Sequence, residues 1–287
     1  MTGHELFEAI KALLGPEANR HRGIDAPARR DTAIAGGSYR SPGTLVDGFR
    51  AGDADVDVRG IVVAARASTA VLREAHRIGA NIVISRQAFL GDSQDRPVAK
   101  PEAALAAKIA FIEANRMAVL RLQDPRLGPE GRKVTQAFAS ASGLREPRPG
   151  NPAHGLIYLN EALTIRDLVS RIKAGGETST VRLFGDPGLR PRGIAIATET
   201  NRPNALNPLI SRRDVNLLVA GEVHETETTA YVADAIALGQ PKALLLVGSI
   251  AMEEAPAKRL SELLPMITRA QVTHLATPEM LTEVAIG

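Results

Sequence analysis

The sequence predicts an α/β fold of two similar lobes facing one another, each a mixed sheet flanked by helices. Three observations carry that expectation. Apolar runs of strand length alternate with amphipathic stretches of helical length, the pattern of β-α-β units. The alternation occurs once before and once after the segment 146–154, which holds three prolines and a glycine. Four of the apolar runs stop at polar residues: Ile82–Ser85 before Arg86 and Gln87, Met117–Leu122 before Gln123 and Asp124, Val215–Ala220 before Gly221 and Glu222, and Leu244–Val247 before Gly248 and Ser249, with Glu253 one turn later. Ligands of open α/β sheets sit just beyond the carboxyl ends of the strands, so these ends are the candidate site.

Taken in order, Met1–Glu5 begins an amphipathic helix, and residues 15–43, rich in Arg, Gly and Pro, read as a loop or partly disordered arm. Leu45–Arg50 and Val58–Ala65 read as strands separated by Gly52–Asp55. Ser68 is placed to cap a helix whose apolar positions are Val71, Leu72, Ala75 and Ile78, and Gly79 follows where a left-handed residue is wanted. Ile82–Ile84 completes a parallel β-α-β unit. A helix over Pro101–Asn115 leads to the strand Met117–Leu122, and Glu130–Ser142 reads as helical. After the linker come strands at Leu156–Leu159, Val181–Phe184 and Gly193–Ala197, with a helix at Thr164–Ala174. A second β-α-β unit is Val215–Ala220, the helix Glu225–Leu238 with Tyr231, Ala235 and Leu238 on one face and Gly239 as its stop, and Ala243–Val247. A helix from Met252 ends before Pro265, and Val272–Leu275 is a late strand. The division that follows is an arm at 1–43, a first lobe at 44–145, a linker at 146–154 and a second lobe at 155–287.

A chain of 287 residues is long enough for a substantial core. No apolar run approaches the roughly 20 residues that span a bilayer, and the N-terminus reads as a helix instead of a secretory signal. The absence of cysteine excludes disulfides, thiolate nucleophiles and Cys-ligated metals, and it fits a cytoplasmic location. A net charge of +3 invites a nucleic-acid reading, yet a chain with no Trp, three Tyr and six Phe offers few stacking platforms. A solvated basic surface is the better account.

Neither Gly-x-Gly-x-x-Gly nor the Walker pattern occurs, and Gly-x-Ser-x-Gly is absent. None of the six histidines pairs with another at the i, i+4 spacing of metalloprotease helices. His76 lies among charged helical neighbours and reads as surface. His224 leaves a strand end and enters a helix, so Glu222 and His224 are candidates for acid–base catalysis. Helix-start polarity explains the same cluster equally simply. Arg86, Arg121 and Arg126 together suit a small anion such as a phosphate or carboxylate.

These residues also carry a resemblance. Val46–Asp53, Ile61–Val63 and Gly79–Ser85 look like the first lobe of the Nif-three-like family, which includes the GTP cyclohydrolase I type 2 homologues. Leu217–Glu225, Tyr231 with Asp234 and Ala235, Lys242–Leu244 and Gly248–Glu254 look like its second lobe. The most specific parts are Gly-Glu-x-x-Glu at 221–225 and Gly-x-x-x-x-Glu-Glu at 248–254, and the likeness covers about 44–145 and 180–275. It implies two α/β lobes about a cleft, a toroidal homohexamer built from dimers, and a dinuclear metal centre.

The chain departs from that pattern at the metal. Where the family places His-His or His-Glu it has Arg86 and Gln87; where His precedes Asp it has Gln123 and Asp124; where Gly-His precedes Glu it has Gly248, Ser249 and Glu253. A guanidinium has no lone pair to give. It also repels a divalent ion a few ångströms away, by about 1–4 kcal/mol for even a unit charge. The strong ligands left are Asp124 and Glu253, with Gln87, Gln123 and Ser249 as weak neutral ones, so no tight cofactor is expected. A single Mg, Mn or Zn ion held weakly by Asp124 and Glu253 stays open. Arg86 is expected either to pair with Asp124 or Glu253 or to point to solvent. Two functional readings follow: a small-anion-binding or scaffold pseudoenzyme that has lost its dinuclear centre, and a metal-dependent hydrolase of a nucleotide or phosphoester with a remodelled mononuclear site.

Overall fold

The computed structural model describes residues 1–14, 47–90, 95, 98, 100–123, 126–127, 132–149, 155–160, 162–175, 178, 180–198 and 201–278. The expected arm at 15–43 and Asp124 lie outside the described residues. The chain forms two compact units, Met1–Arg132 with Pro256–Pro278, and Lys133–Ala255.

In the first unit, helix α1 (Gly3–Leu14) is opened by a reciprocal cap in which Thr2 N donates to Glu5 Oε2 at 2.9 Å and Glu5 N donates to Thr2 Oγ1 at 3.2 Å. The sheet runs β1 (Gly48–Gly52), β4 (Ala118–Arg121), β3 (Ile82–Ser85), β2 (Gly60–Ala64) and β12 (Gln271–His274). Strands β4, β3, β2 and β12 are parallel neighbours, and β1 closes the edge antiparallel to β4. Helix α2 (Thr69–Arg77) links β2 to β3 as predicted. Ser68 Oγ accepts from Val71 N, and Gly79 adopts φ +82°. Helix α3 (Ala103–Ala114) links β3 to β4 and begins two residues after Pro101. One face of the sheet packs Val62, Val83 and Val119 against Val71, Leu72, Ala75, Ile109 and Ile112. Such strands, buried on both faces, read as continuous apolar runs, which is why the sequence revealed them.

The short strands β5 (Arg126–Leu127) and β6 (Arg132–Lys133) pair with each other. Of the helix expected over Glu130–Ser142, residues 130–131 lie outside the described residues, 132–133 form β6, and the helix is α4 (Val134–Ala141). In the second unit the sheet runs β7 (Leu156–Leu159), β9 (Gly193–Ala197), β10 (Leu217–Ala220), β11 (Ala243–Leu246) and β8 (Arg182–Phe184). The central three are parallel and both edges antiparallel. Its two faces alternate along each strand. Ile194, Ile196, Leu217, Val219 and Leu245 join one core with α4 and α5 (Ile165–Gly175), and Ala195, Ala197, Leu218, Ala220 and Leu244 join another with α6 (Pro203–Ser211).

Several expectations are corrected. The lobe boundary falls at Arg132–Lys133, because Phe138 and Ala139 of α4 belong to the core of the second unit. The first part of the expected linker lies along the sheet edge, where Pro147 bridges Tyr158 and Arg148 N donates to Ile157 O at 2.7 Å; residues 150–154 lie outside the described residues. The late strand is real but pairs with β2 of the first unit. Helix α6 went unread because Pro208 lies inside it, although Ala205, Leu206, Leu209 and Ile210 give a buried helical face. The helix expected at Glu225 opens as a π-helical turn, Glu225–Thr229, before α7 (Ala230–Ala237), and Leu238 is 78% exposed instead of sharing the buried face of Ala235. Helix α8 (Ser249–Leu263) starts three residues before Met252, directly after Gly248 at φ +89°.

Candidate functional site

Because β3 and β4 are adjacent and parallel, with Ser85 opposite Arg121, their carboxyl ends lie side by side. The chain leaves β3 at Arg86 and β4 at Leu122, and at these ends the first unit buries charge. Arg86 and Arg121 are each 1% exposed, and Arg50 is also buried. Nη1 of Arg86 donates to Leu122 O at 2.8 Å, so the guanidinium is built across the two strand ends and does not point to solvent. Arg121 donates through Nη2 to Gln123 Oε1 at 2.6 Å, and Gln123 N donates to Asp47 Oδ1.

Asp95 joins Arg50 and Arg121. Its side chain is 0% exposed. Oδ1 accepts from the consecutive amides of Phe89 and Leu90 at 2.7 and 2.6 Å. Oδ2 lies 3.0 Å from Nη1 of Arg121 and 3.5 Å from Nε of Arg50. Arg50 reaches it from a β-bulge: Phe49 pairs with Leu120 and Ala51 with Val119, which leaves Arg50 as the extra residue. Asp95 itself adopts φ +49°, a left-handed conformation that Asp tolerates better than most residues.

Two further side chains tie the loops after β2 and β3. Ser85 Oγ accepts from Ala67 N at 3.1 Å and donates to Gln87 O at 2.8 Å. Nζ of Lys108, on α3, stands 3.9 Å from the centre of the Phe89 ring and 3.4 Å from both Ala67 O and Phe89 O. Burial, and then the nearby Arg66 charge, push its pKa down to about 8, against an opposing pull from Asp95.

In the second unit the ends of β10 and β11 are also adjacent and parallel. They touch closely: a Cβ on Gly221 would sit 2.7 Å from Ser249 Oγ and 2.8 Å from its Cα, so only glycine fits there. Ser249 opens α8, and Glu253 and Glu254 are buried one turn on. Glu222 is exposed. His224 is 54% exposed, with Nδ1 3.9 Å from Glu227 Oε1, and Glu225 pairs with Arg182 on the surface.

The structure thus brings Arg86, Arg121 and Gln123 together in one unit, and places Ser249 and Glu253 at the start of α8, just beyond the end of β11, in the other. Arg126 lies in β5. Among the described residues no three His, Asp or Glu side chains gather in a way that would hold a metal ion. Sequence reasoning missed Asp95, Arg50 and Lys108. Arg50 had a signal, a charge inside an apolar strand, and so did Lys108, the one cation on α3. Asp95 had none, since the guanidiniums it meets, Arg50 and Arg121, lie far along the chain.

Among the described residues no helix is long and apolar enough to cross a membrane. No protein-family model and no curated protein sequence matches the chain. Solved structures do. The chain is similar to the hypothetical protein SA1388 of Staphylococcus aureus, with a TM-score of 0.72, 15% identity and 99% of each chain covered. It is similar to a Bacillus cereus protein related to NIF3, with a TM-score of 0.70, 13% identity, and 100% of this chain and 99% of that one covered. It is also similar to protein ybgI, of unknown function, with a TM-score of 0.67, 20% identity, and coverage of 97% and 99%. At these identities the likeness is one of fold: the chain has the fold of these proteins, one of which is related to NIF3.

Proposed function

We propose that this chain is a small-anion-binding or scaffold pseudoenzyme, with a cationic pocket at the β3 and β4 ends in place of a dinuclear metal centre. The observation that carries the reading is Arg86: buried, and fixed by its bond to Leu122 O at the position where the resemblance implies an imidazole ligand. Guanidiniums bind phosphate and carboxylate through planar forks, and burial raises the strength of each charge-assisted bond. The donor set supports the same reading, since Arg86 and Gln87 offer no strong metal ligand.

The test is metal content beside anion binding. Purified protein is expected to carry metal well below one ion per chain and to bind inorganic phosphate by calorimetry, with Arg86→Gln weakening that binding about tenfold. Near-stoichiometric Zn, Mn, Fe or Ni with no phosphate binding would overturn the reading.

A second reading is favoured by Glu253, a carboxylate buried at a strand end. It is a metal-dependent hydrolase of the GTP cyclohydrolase I type 2 or phosphoesterase kind, using Asp124 and Glu253 as ligands of a weakly held divalent ion, with Glu222 or His224 as acid–base groups. Activity against phosphoesters that vanishes in Glu253→Gln would select it. The partner we propose is the chain itself, as a hexamer of dimers in the cytoplasm, with neither membrane nor nucleic acid involved. Light scattering that reports a monomer would refute the assembly.

A further inference from the structure

Building on the anion site proposed above, we infer that Asp95 is its positioning residue: it sets the orientation of the Arg121 fork and the course of the loop that begins at Arg86, without itself touching the bound anion. Three geometric facts converge on this. The two oxygens of Asp95 are divided between different tasks, Oδ1 taking the consecutive amides of Phe89 and Leu90 and Oδ2 facing two guanidiniums. Asp95 takes Nη1 of Arg121, while Nη2 reaches Gln123 at the carboxyl end of β4. The loop pinned at Phe89 and Leu90 is the one that carries Arg86 and Gln87 off the end of β3.

A carboxylate that only neutralised buried cations would need none of this division. A bidentate pair with a single Arg would serve, and so would a bond to either guanidinium alone. The β-bulge at Arg50 and the left-handed backbone of Asp95 itself are both departures from regular geometry that this arrangement requires. Such departures gather where side-chain placement matters. The site that results is directional, with Arg86 spanning the strand ends and Arg121 aimed along β4.

The sign of one measurement separates positioning from neutralisation. Removing a negative charge beside an anion site strengthens anion binding if charge is all that matters. Loss of orientation weakens it. Phosphate binding is therefore measured on the full chain for wild type and Asp95→Asn, which keeps an oxygen for the two amides, and for the core variant Ile112→Val as a control. Positioning predicts that Asp95→Asn raises the phosphate dissociation constant at least tenfold, while the control, which lowers the melting temperature, changes it less than twofold. Tighter binding by Asp95→Asn, or a change no larger than the control's, overturns the inference and leaves the anion site standing. Wild-type protein that binds no phosphate overturns both. Should Asp95→Asn fail to fold, Asp95→Glu gives the same decision: charge is preserved and the placement of the two oxygens is lost. A tenfold weakening then supports positioning, and wild-type affinity refutes it.

Discussion

Replacing Lys108 by Met should change the pH dependence of stability in a defined direction. The ammonium lies among Phe89, Ala67 and the Arg66 charge, and burial pushes its pKa from the ordinary 10.5 down to about 8. The folded state therefore disfavours the charged form. That cost is present in full below pH 8, where Lys108 is protonated in both states. It is relieved as the pH rises from 8 toward 10.5, because the folded protein releases its proton first. Solvent screening of a side chain this incompletely buried leaves about 1–2 kcal/mol of the roughly 3 kcal/mol that the pKa difference would give at 1.36 kcal/mol per pKa unit. Wild type should thus gain about 1–2 kcal/mol relative to Lys108→Met between pH 7 and 10.5. Methionine keeps the stem and its contact with Phe89 but does not titrate, so subtracting the variant cancels other groups such as Tyr158, whose pKa burial also raises. Urea unfolding of both proteins at several pH values measures the gap. A gap that stays constant from pH 7 to 10.5 would refute the reasoning.

Three other outcomes are expected. Ser68→Ala removes the cap accepted from Val71 N and should cost about 1 kcal/mol in denaturant unfolding. Gly79→Ala and Gly52→Ala share a positive φ, but nothing lies within 4 Å of an added Cβ at Gly79, whereas at Gly52 it would fall 2.0 Å from Met117 O. The first should cost about 1–2 kcal/mol from backbone strain alone and the second more than about 3 kcal/mol, and equal losses would contradict the geometry. Lys242→Met strands Arg212 O and Val215 O, each bonded by Nζ at 2.6 Å, and should lower stability by about 1–3 kcal/mol on thermal unfolding.

Much of the architecture was legible in the residues because each parallel unit satisfies its local rules by itself. Ser68 caps, Gly79 and Gly239 stop, and the runs at Ile82 and Leu217 are apolar throughout because both faces of their strands are buried. Arg86, Gln123, Ser249 and Glu253 were read as candidates in the same way, since polar side chains that follow a strand mark a carboxyl end. The π-helical turn was not legible, because Glu225–Thr229 carries the same polarity as an ordinary helix start. Neither was the pairing of Pro147 with Tyr158, since three prolines suggest a linker wherever the chain finally rests. Asp95 was the largest omission. A carboxylate in a polar loop looks like solvent-facing charge until the fold brings Arg50 and Arg121 to it across 45 and 26 residues.

By itself, then, the sequence determined the kind of protein: two parallel β-α-β units, their helix ends, and the polar residues at four strand ends, all set by interactions between residues close in the chain. Tertiary structure alone decided which unit receives the last strand, where the units divide, and that a single buried carboxylate organises two strands and a loop. The physical reason is range. Caps, turns and apolar periodicity act over a few residues, whereas β12 on β2 and Asp95 between two guanidiniums are pairings made only when distant segments have already packed.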